Sequence, residues 1–177
     1  MPTWNQETYI KAWKFAARAH LGQTVPGSDI PYLFHIGLVA AEAMGAATCE
    51  AVDSPDLLVT CAVLHDVIED TPSTYEDMRA AFGTQVADGV LALSKHKALP
   101  TKEAQMKDSL VRIRQQLGEI WMVKLCDRIT NLLPPPAHWD RAKIQQYRDE
   151  AGLILETLGG ASPYLSKRMA RKIKNYG

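Results

Sequence analysis

The stretch LLVTCAVLHDVIEDT, residues 57–71, constrains this chain more than any other. An apolar run with helical patterning leads straight into four ionisable groups, His65, Asp66, Glu69 and Asp70. On a helix, residues three and four apart share a face. That spacing predicts Glu69 over His65 and Asp66, and Asp70 over Asp66. Three crowded carboxylates repel one another unless a cation sits among them. An imidazole beside carboxylates is ligand chemistry for a divalent metal, with spare carboxylates to handle water.

The flanking sequence predicts more helices and almost no strand. Residues 5–20 repeat apolar positions at helical spacing, and Gly22 closes them. Residues 22–31, GQTVPGSDIP, form a Gly- and Pro-rich loop. A second helix is expected over about 32–44. The third covers about 56–70, with Ser54 as its cap and Pro55 at its first position. Ser73 or Thr74 caps a short helix that Gly83 closes, and Thr84 caps the next. A basic connection, KHKALP, precedes a helix from Thr101 to about Leu117. The apolar helix EIWMVKLCDRITNLL ends at prolines 134–136. Two last helices cover about 138–158 and 163–174. The expectation is one all-α domain of roughly nine helices over residues 1–177, a length that suits a single core.

Charge and cysteine content remove several classes of function. Twenty basic and 20 acidic residues give zero net charge, which argues against nucleic-acid or membrane binding through bulk charge. No stretch reaches the apolar length of a membrane span, and the first residues lack a signal peptide's apolar region. Cys49, Cys61 and Cys126 form no CxxC pair, so the expected setting is a reducing cytoplasm. Cys61 and Cys126, in apolar runs, read as small core residues. Oligomeric state stays open.

Two further residues extend the cluster. His35 lies early in the second helix, and Asp127 lies on an apolar helix where an uncompensated carboxylate is costly. Two histidines and two aspartates from three helices would supply four ligands to an octahedral ion with two open positions. The order His35, His65-Asp66, Asp127 resembles the HD-domain superfamily of metal-dependent phosphohydrolases. The surrounding text is more specific. FAARAHLGQ (15–23), PYLFH (31–35), HDVIEDT (65–71), FGTQVA (82–87) and KLCDRITN (124–131) resemble the hydrolase domain of RelA/SpoT homologues. They span residues 15–131, so the chain is similar to a stand-alone small alarmone hydrolase, with the C-terminal helices 138–174 completing an HD-domain fold.

That resemblance implies one manganese ion held by His35, His65, Asp66 and Asp127. It implies removal of the 3′-pyrophosphate of a guanosine alarmone, with Glu69 and Asp70 activating the water. Asn131 matches a nucleotide-contacting asparagine and Tyr147 a later tyrosine. Among the cations, Lys124 and Arg128 flank Asp127 and are candidates for substrate phosphates, and Lys95, Lys97, Lys102 and Lys107 lie around the long connection. Trp121 and Trp139 read as core or rim. The chain also departs from the family text. Gln23 is followed by Thr24-Val25-Pro26 instead of basic residues, Ile36 replaces a proline, and Thr130 replaces a histidine. The metal set survives these changes, while the purine preference, guanine or adenine, stays open. The alternatives are a broader HD-domain nucleotidase releasing orthophosphate, for example from NADPH, and a non-catalytic nucleotide-binding module.

Overall fold

The helix Pro55–Leu64 is the axis of the molecule, because it is apolar around its whole circumference and every residue except Asp56 is buried. A helix of that composition has no face to offer water and must be wrapped by others. In this computed structural model, which describes residues 4–177, ten α-helices and one 3₁₀ turn do the wrapping. Residues 1–3 of the expected domain lie outside the described residues. The helices are α1 (Gln6–Ala19), α2 (Leu33–Cys49), α3 (Pro55–Leu64), α4 (Val67–Asp70) and α5 (Tyr75–Phe82). They continue as α6 (Thr84–Leu93), α7 (Lys102–Arg114), α8 (Gly118–Asn131), α9 (Arg141–Leu158) and α10 (Pro163–Lys174). No strand forms among the described residues; one isolated bridge joins Thr24 to Pro31. None of the helices is long and apolar enough to cross a membrane.

Helices α1, α2, α6 and α8 pack against α3, and α10 closes over α8 and α9. Leu58, Leu64, Ile36, Ile120, Leu125 and Ile129 are fully buried at this centre. Truncating one such residue to alanine costs about 2–5 kcal/mol. Cys61 and Cys126 are buried in the same core and Cys49 is exposed, all three as free thiols.

Local chemistry explains most boundaries. Thr74 and Asp77 form a reciprocal capping box at the start of α5, and Thr101 caps α7 through Ala104. Gly83, at φ +85°, links α5 to α6 in a conformation that side chains resist. It takes the cap position of α6, so Thr84 is the first helical residue and not the cap. Ser54 occupies the cap position of α3, but its side chain makes no capping bond. Its backbone N–H donates instead to Glu119 Oε1 at 2.7 Å, tying α3 to α8.

The largest departure from the sequence expectation is at the centre of the cluster. The third helix does not run unbroken to residue 70. Its hydrogen-bond ladder stops after Leu64 and resumes as the single turn α4, which raises nine expected helices to ten. Asp66 sits at φ −101°, ψ 0°, the sparsely occupied region where active-site residues are often found. His65 and Asp66 thus occupy a corner between two helical segments.

Candidate active site

Three elements deliver four side chains to one point. His35 comes from the first turn of α2, His65 and Asp66 from the corner after α3, and Asp127 from α8. The Nε2 atoms of His35 and His65 are 3.3 Å apart. Asp66 Oδ2 lies 2.8 Å from His65 Nε2 and 3.6 Å from His35 Nε2, and Asp127 Oδ1 lies 3.5 Å from His35 Nε2. Donor atoms of His35, His65 and Asp127 all fall within 4.8 Å of one another. Asp66 adjoins that trio through both imidazoles.

The electrostatics favour a cation here. Burial works against charge on His65, yet the neighbouring Asp66 carboxylate and its hydrogen bond outweigh it, and the pKa rises to about 9. Burial also opposes charge on Asp66, but His65 and hydrogen bonds from His35, His65 and Tyr32 hold it well below the ordinary carboxylate range. Asp127 is likewise held down against burial, chiefly by Lys124. His65 Nδ1 lies 2.8 Å from the Ala62 carbonyl oxygen. In that contact Nδ1–H donates to the carbonyl, which leaves Nε2 as the nitrogen offered to a metal that displaces its proton. Two imidazoles and two carboxylates fit a divalent ion of borderline to hard character.

The supporting contacts around this point are dense. The Tyr32 hydroxyl donates to Asp66 Oδ2 at 2.5 Å, and burial together with that carboxylate pushes the phenol pKa far up. Tyr32 in turn stacks between His20 and His35, at ring distances of 5.1 and 5.4 Å. Sequence reading missed it. A tyrosine in the apolar text PYLFH carries no polar pattern, and only its place three residues before His35 pointed inward. Lys124 Nζ donates to Asp127 Oδ2 at 2.9 Å and Asn131 Nδ2 to Asp127 Oδ1 at 2.6 Å. Both residues, expected as substrate contacts, therefore brace the aspartate while also facing the cleft.

That cleft, of about 590 Å³, gathers every sequence-derived site residue except the buried His65 on one surface. His35, Asp66, Glu69, Asp70, Lys124, Asp127, Arg128, Asn131 and Tyr147 line it, with Val25 and Pro26 of the 22–31 loop at its border. Glu69 does not simply stack over His65 as an unbroken helix would dictate. Its Oε2 accepts the Lys95 backbone N–H at 2.8 Å and its Oε1 meets Lys95 Nζ at 3.2 Å. Asp70 meets Lys97 Nζ at 3.3 Å, and Lys97 also donates to the Glu69 carbonyl at 2.6 Å. The carboxylates that the sequence left crowded are thus separated by two lysines.

The far side of the cleft is aromatic and basic. The Arg128 guanidinium lies 4.4 Å above the Tyr147 ring and 3.6 Å from Glu150 Oε2. Its buried Nη1 has no hydrogen-bond partner among the described residues. Trp139 meets Tyr147 edge-on at 5.4 Å and lines the cleft, so it belongs to the rim. Lys102 and Lys143 add positive charge there, while Phe34, Leu38 and Leu133 add apolar surface.

Known proteins resemble this chain in sequence and fold. The family described as HD domain matches residues 12–161. The bifunctional (p)ppGpp synthase/hydrolase SpoT of Escherichia coli (strain K12) is 37% identical over 130 residues, covering 69% of this chain. The matched region spans 17% of that relative's length. The guanosine-3′,5′-bis(diphosphate) 3′-pyrophosphohydrolase MESH1 of Homo sapiens is 28% identical over 174 residues, covering 95% of this chain and 94% of its own. A solved structure described as a metazoan orthologue of SpoT that hydrolyses ppGpp superposes with a TM-score of 0.82 over 98% of this chain and 97% of the other. At 22% identity that likeness speaks for the fold. With the corner His65-Asp66 at its centre and the family match running through most of its helices, the chain belongs to the HD-domain family.

Proposed function

We propose that this chain is a manganese-dependent pyrophosphohydrolase that removes the 3′-pyrophosphate of a purine alarmone. The observation that carries the reading is the convergence of His35, His65, Asp66 and Asp127 at the floor of a cleft whose rim is basic and aromatic. The relatives named for hydrolysis of guanosine-3′,5′-bis(diphosphate) support the substrate class.

In this reading the four residues hold the ion. When bound, a divalent cation makes water more acidic and offsets charge that builds on phosphoryl oxygens. The remaining work belongs to the chain. Glu69 accepts the proton of the attacking water, its carboxylate aimed by Lys95. Asp70 assists from the adjoining position. Lys124 and Arg128 neutralise phosphate charge from the wall of the cleft. Tyr147 and Trp139, meeting edge-on, offer an aromatic corner to the purine, and Asn131 offers its amide to the nucleotide while steadying Asp127. The apolar border at Val25 and Pro26 supplies no charged contact, so purine choice rests on shape and stacking.

The test is direct. Purified protein with manganese is given guanine and adenine nucleotides carrying a 3′-pyrophosphate or 3′-phosphate, and NADPH. Products are identified by chromatography. Pyrophosphate release from a 3′-pyrophosphorylated nucleotide supports the assignment. Orthophosphate as the sole product assigns the chain to a broader nucleotidase. Binding without turnover makes it a nucleotide-binding module.

A further inference from the structure

We propose that Arg112 is a positioning residue for Glu69, acting through the turn Leu91–Lys95. The inference rests on the reading of Glu69 as proton acceptor. It begins from a weakness in α4. That helix has four residues, too few to fix a side chain by its own ladder. The orientation of Glu69 must come from outside, and both its carboxylate oxygens are held by one residue, Lys95.

Lys95 follows directly on the C-terminal end of α6, where helix carbonyls lose their internal partners. Arg112, on α7, supplies those partners. Its Nη1 donates to the carbonyls of Leu91 at 2.8 Å and Ala92 at 3.0 Å, and its Nη2 to that of Ser94 at 2.8 Å. Its Nε donates to Asp108 Oδ2 at 2.8 Å, which fixes the plane of the fork. Ser109 adds a hydroxyl bond to the Ala92 carbonyl at 3.3 Å. One rigid guanidinium thus fixes three carbonyls in the four residues preceding the N–H that holds Glu69. Asp70 has no such chain behind it. Its partner Lys97 is 64% exposed, and pairs of that kind are worth little. The turn therefore singles out Glu69 as the carboxylate whose position is built in.

The experiment compares Arg112→Gln and Arg112→Lys in the wild-type and Glu69→Gln backgrounds. Turnover is measured with manganese and a 3′-pyrophosphorylated guanosine nucleotide, with long incubations for residual rates. Amide hydrogen exchange is followed residue by residue. In Arg112→Gln, kcat falls by roughly 10- to 100-fold, the scale of a small misplacement. KM and calorimetric manganese affinity stay within about threefold. Exchange at the Lys95 amide quickens at least ~10-fold while that of Leu58–Leu64 does not change. In the Glu69→Gln background, Arg112→Gln causes no further loss, because the carboxylate it positions is gone. Should Arg112→Gln fail to fold, Arg112→Lys, which keeps the charge but not the fork, carries the same comparison at a smaller loss.

A merely stabilising cap gives a different result. Losses then multiply across the two backgrounds, or exchange quickens throughout the core, and either outcome overturns the proposal. So does unchanged exchange at Lys95. A Glu69→Gln protein as fast as wild type removes the proton-acceptor reading instead. In that event the Lys95 exchange still decides whether Arg112 holds the turn.

Discussion

The two walls of the cleft are built on different principles. The candidate metal wall stands on α2, α8 and the corner between α3 and α4, and it is cross-braced. His65 is 3% exposed, Lys124 7% and Asp127 14%, and each has at least one hydrogen-bond partner within the protein. The opposing rim stands on the 22–31 loop, the start of α2, the 95–101 connection and the segment after α8, where Lys97, Phe34 and Leu133 are about half exposed or more. Fixed geometry belongs to the chemistry, and adjustable surface belongs to recognition. The contrast explains why the divergent loop text leaves the four candidate ligands untouched.

The strongest way to break this contrast is Asp127→Ala. The change leaves His35, Lys124 and Asn131 around an emptied carboxylate position. Turnover is expected to fall on the order of 10³-fold, with manganese binding lost in calorimetry. Undiminished manganese affinity in that variant would sink the assignment of the metal wall. Tyr32→Phe is the next step down. It removes only the hydroxyl on Asp66, and loss of such an orienting bond weakens metal affinity about 10- to 100-fold. Calorimetry with an unchanged circular-dichroism spectrum separates that effect from misfolding.

Tyr32 also shows where sequence reading stopped. The convergence of His35, His65, Asp66 and Asp127 was legible because histidine and aspartate in apolar helices are expensive unless they have partners, so their presence asks for a reason. The cap at Thr74, one of the two residues the sequence offered, and the helix start at Thr101 were legible because caps are local chemistry. What Tyr32 donates to is not local, since Asp66 is 34 residues away. The same holds for Lys95, whose bond to Glu69 spans 26 residues, and for the corner at His65-Asp66, which the surrounding packing bends out of an otherwise good helix. Lys124 and Asn131 were read as cleft residues from their place beside Asp127, but their bonds to its carboxylate needed the coordinates. Helix existence and the converging set of His35, His65, Asp66 and Asp127 are thus written in the sequence, while the aim of the side chains depends on which elements meet.

Gly89→Ala probes the rigid wall through packing instead of chemistry. A Cβ there would lie 2.5 Å from Ile120 Cδ1 and 3.4 Å from Cys61 Sγ, at the junction of α6, α8 and α3. Overpacking of that kind costs about 1–3 kcal/mol, read as a lower midpoint in denaturant. The kcat per folded molecule should hold, because Ile120 faces the core and not the cleft. A matching fall in kcat would show that strain at this junction reaches the metal wall.

The smallest effect is expected at the rim, and it tests the recognition side of the contrast. Val25 borders the cleft on a loop without a basic residue. Val25→Lys places a cation at the cleft border, where the proposed function would pass a nucleotide phosphate. An exposed pair contributes about 0.2–1 kcal/mol, so KM should fall by no more than about fivefold. Near 1 M salt, where screening acts within about 3 Å, the gain should vanish. The kcat and the denaturation midpoint should not move, because neither Glu69 nor the buried braces contact Val25. An unchanged KM at low salt would mean that the substrate does not meet this loop, and the recognition surface would then have to lie wholly on the Trp139–Tyr147 side.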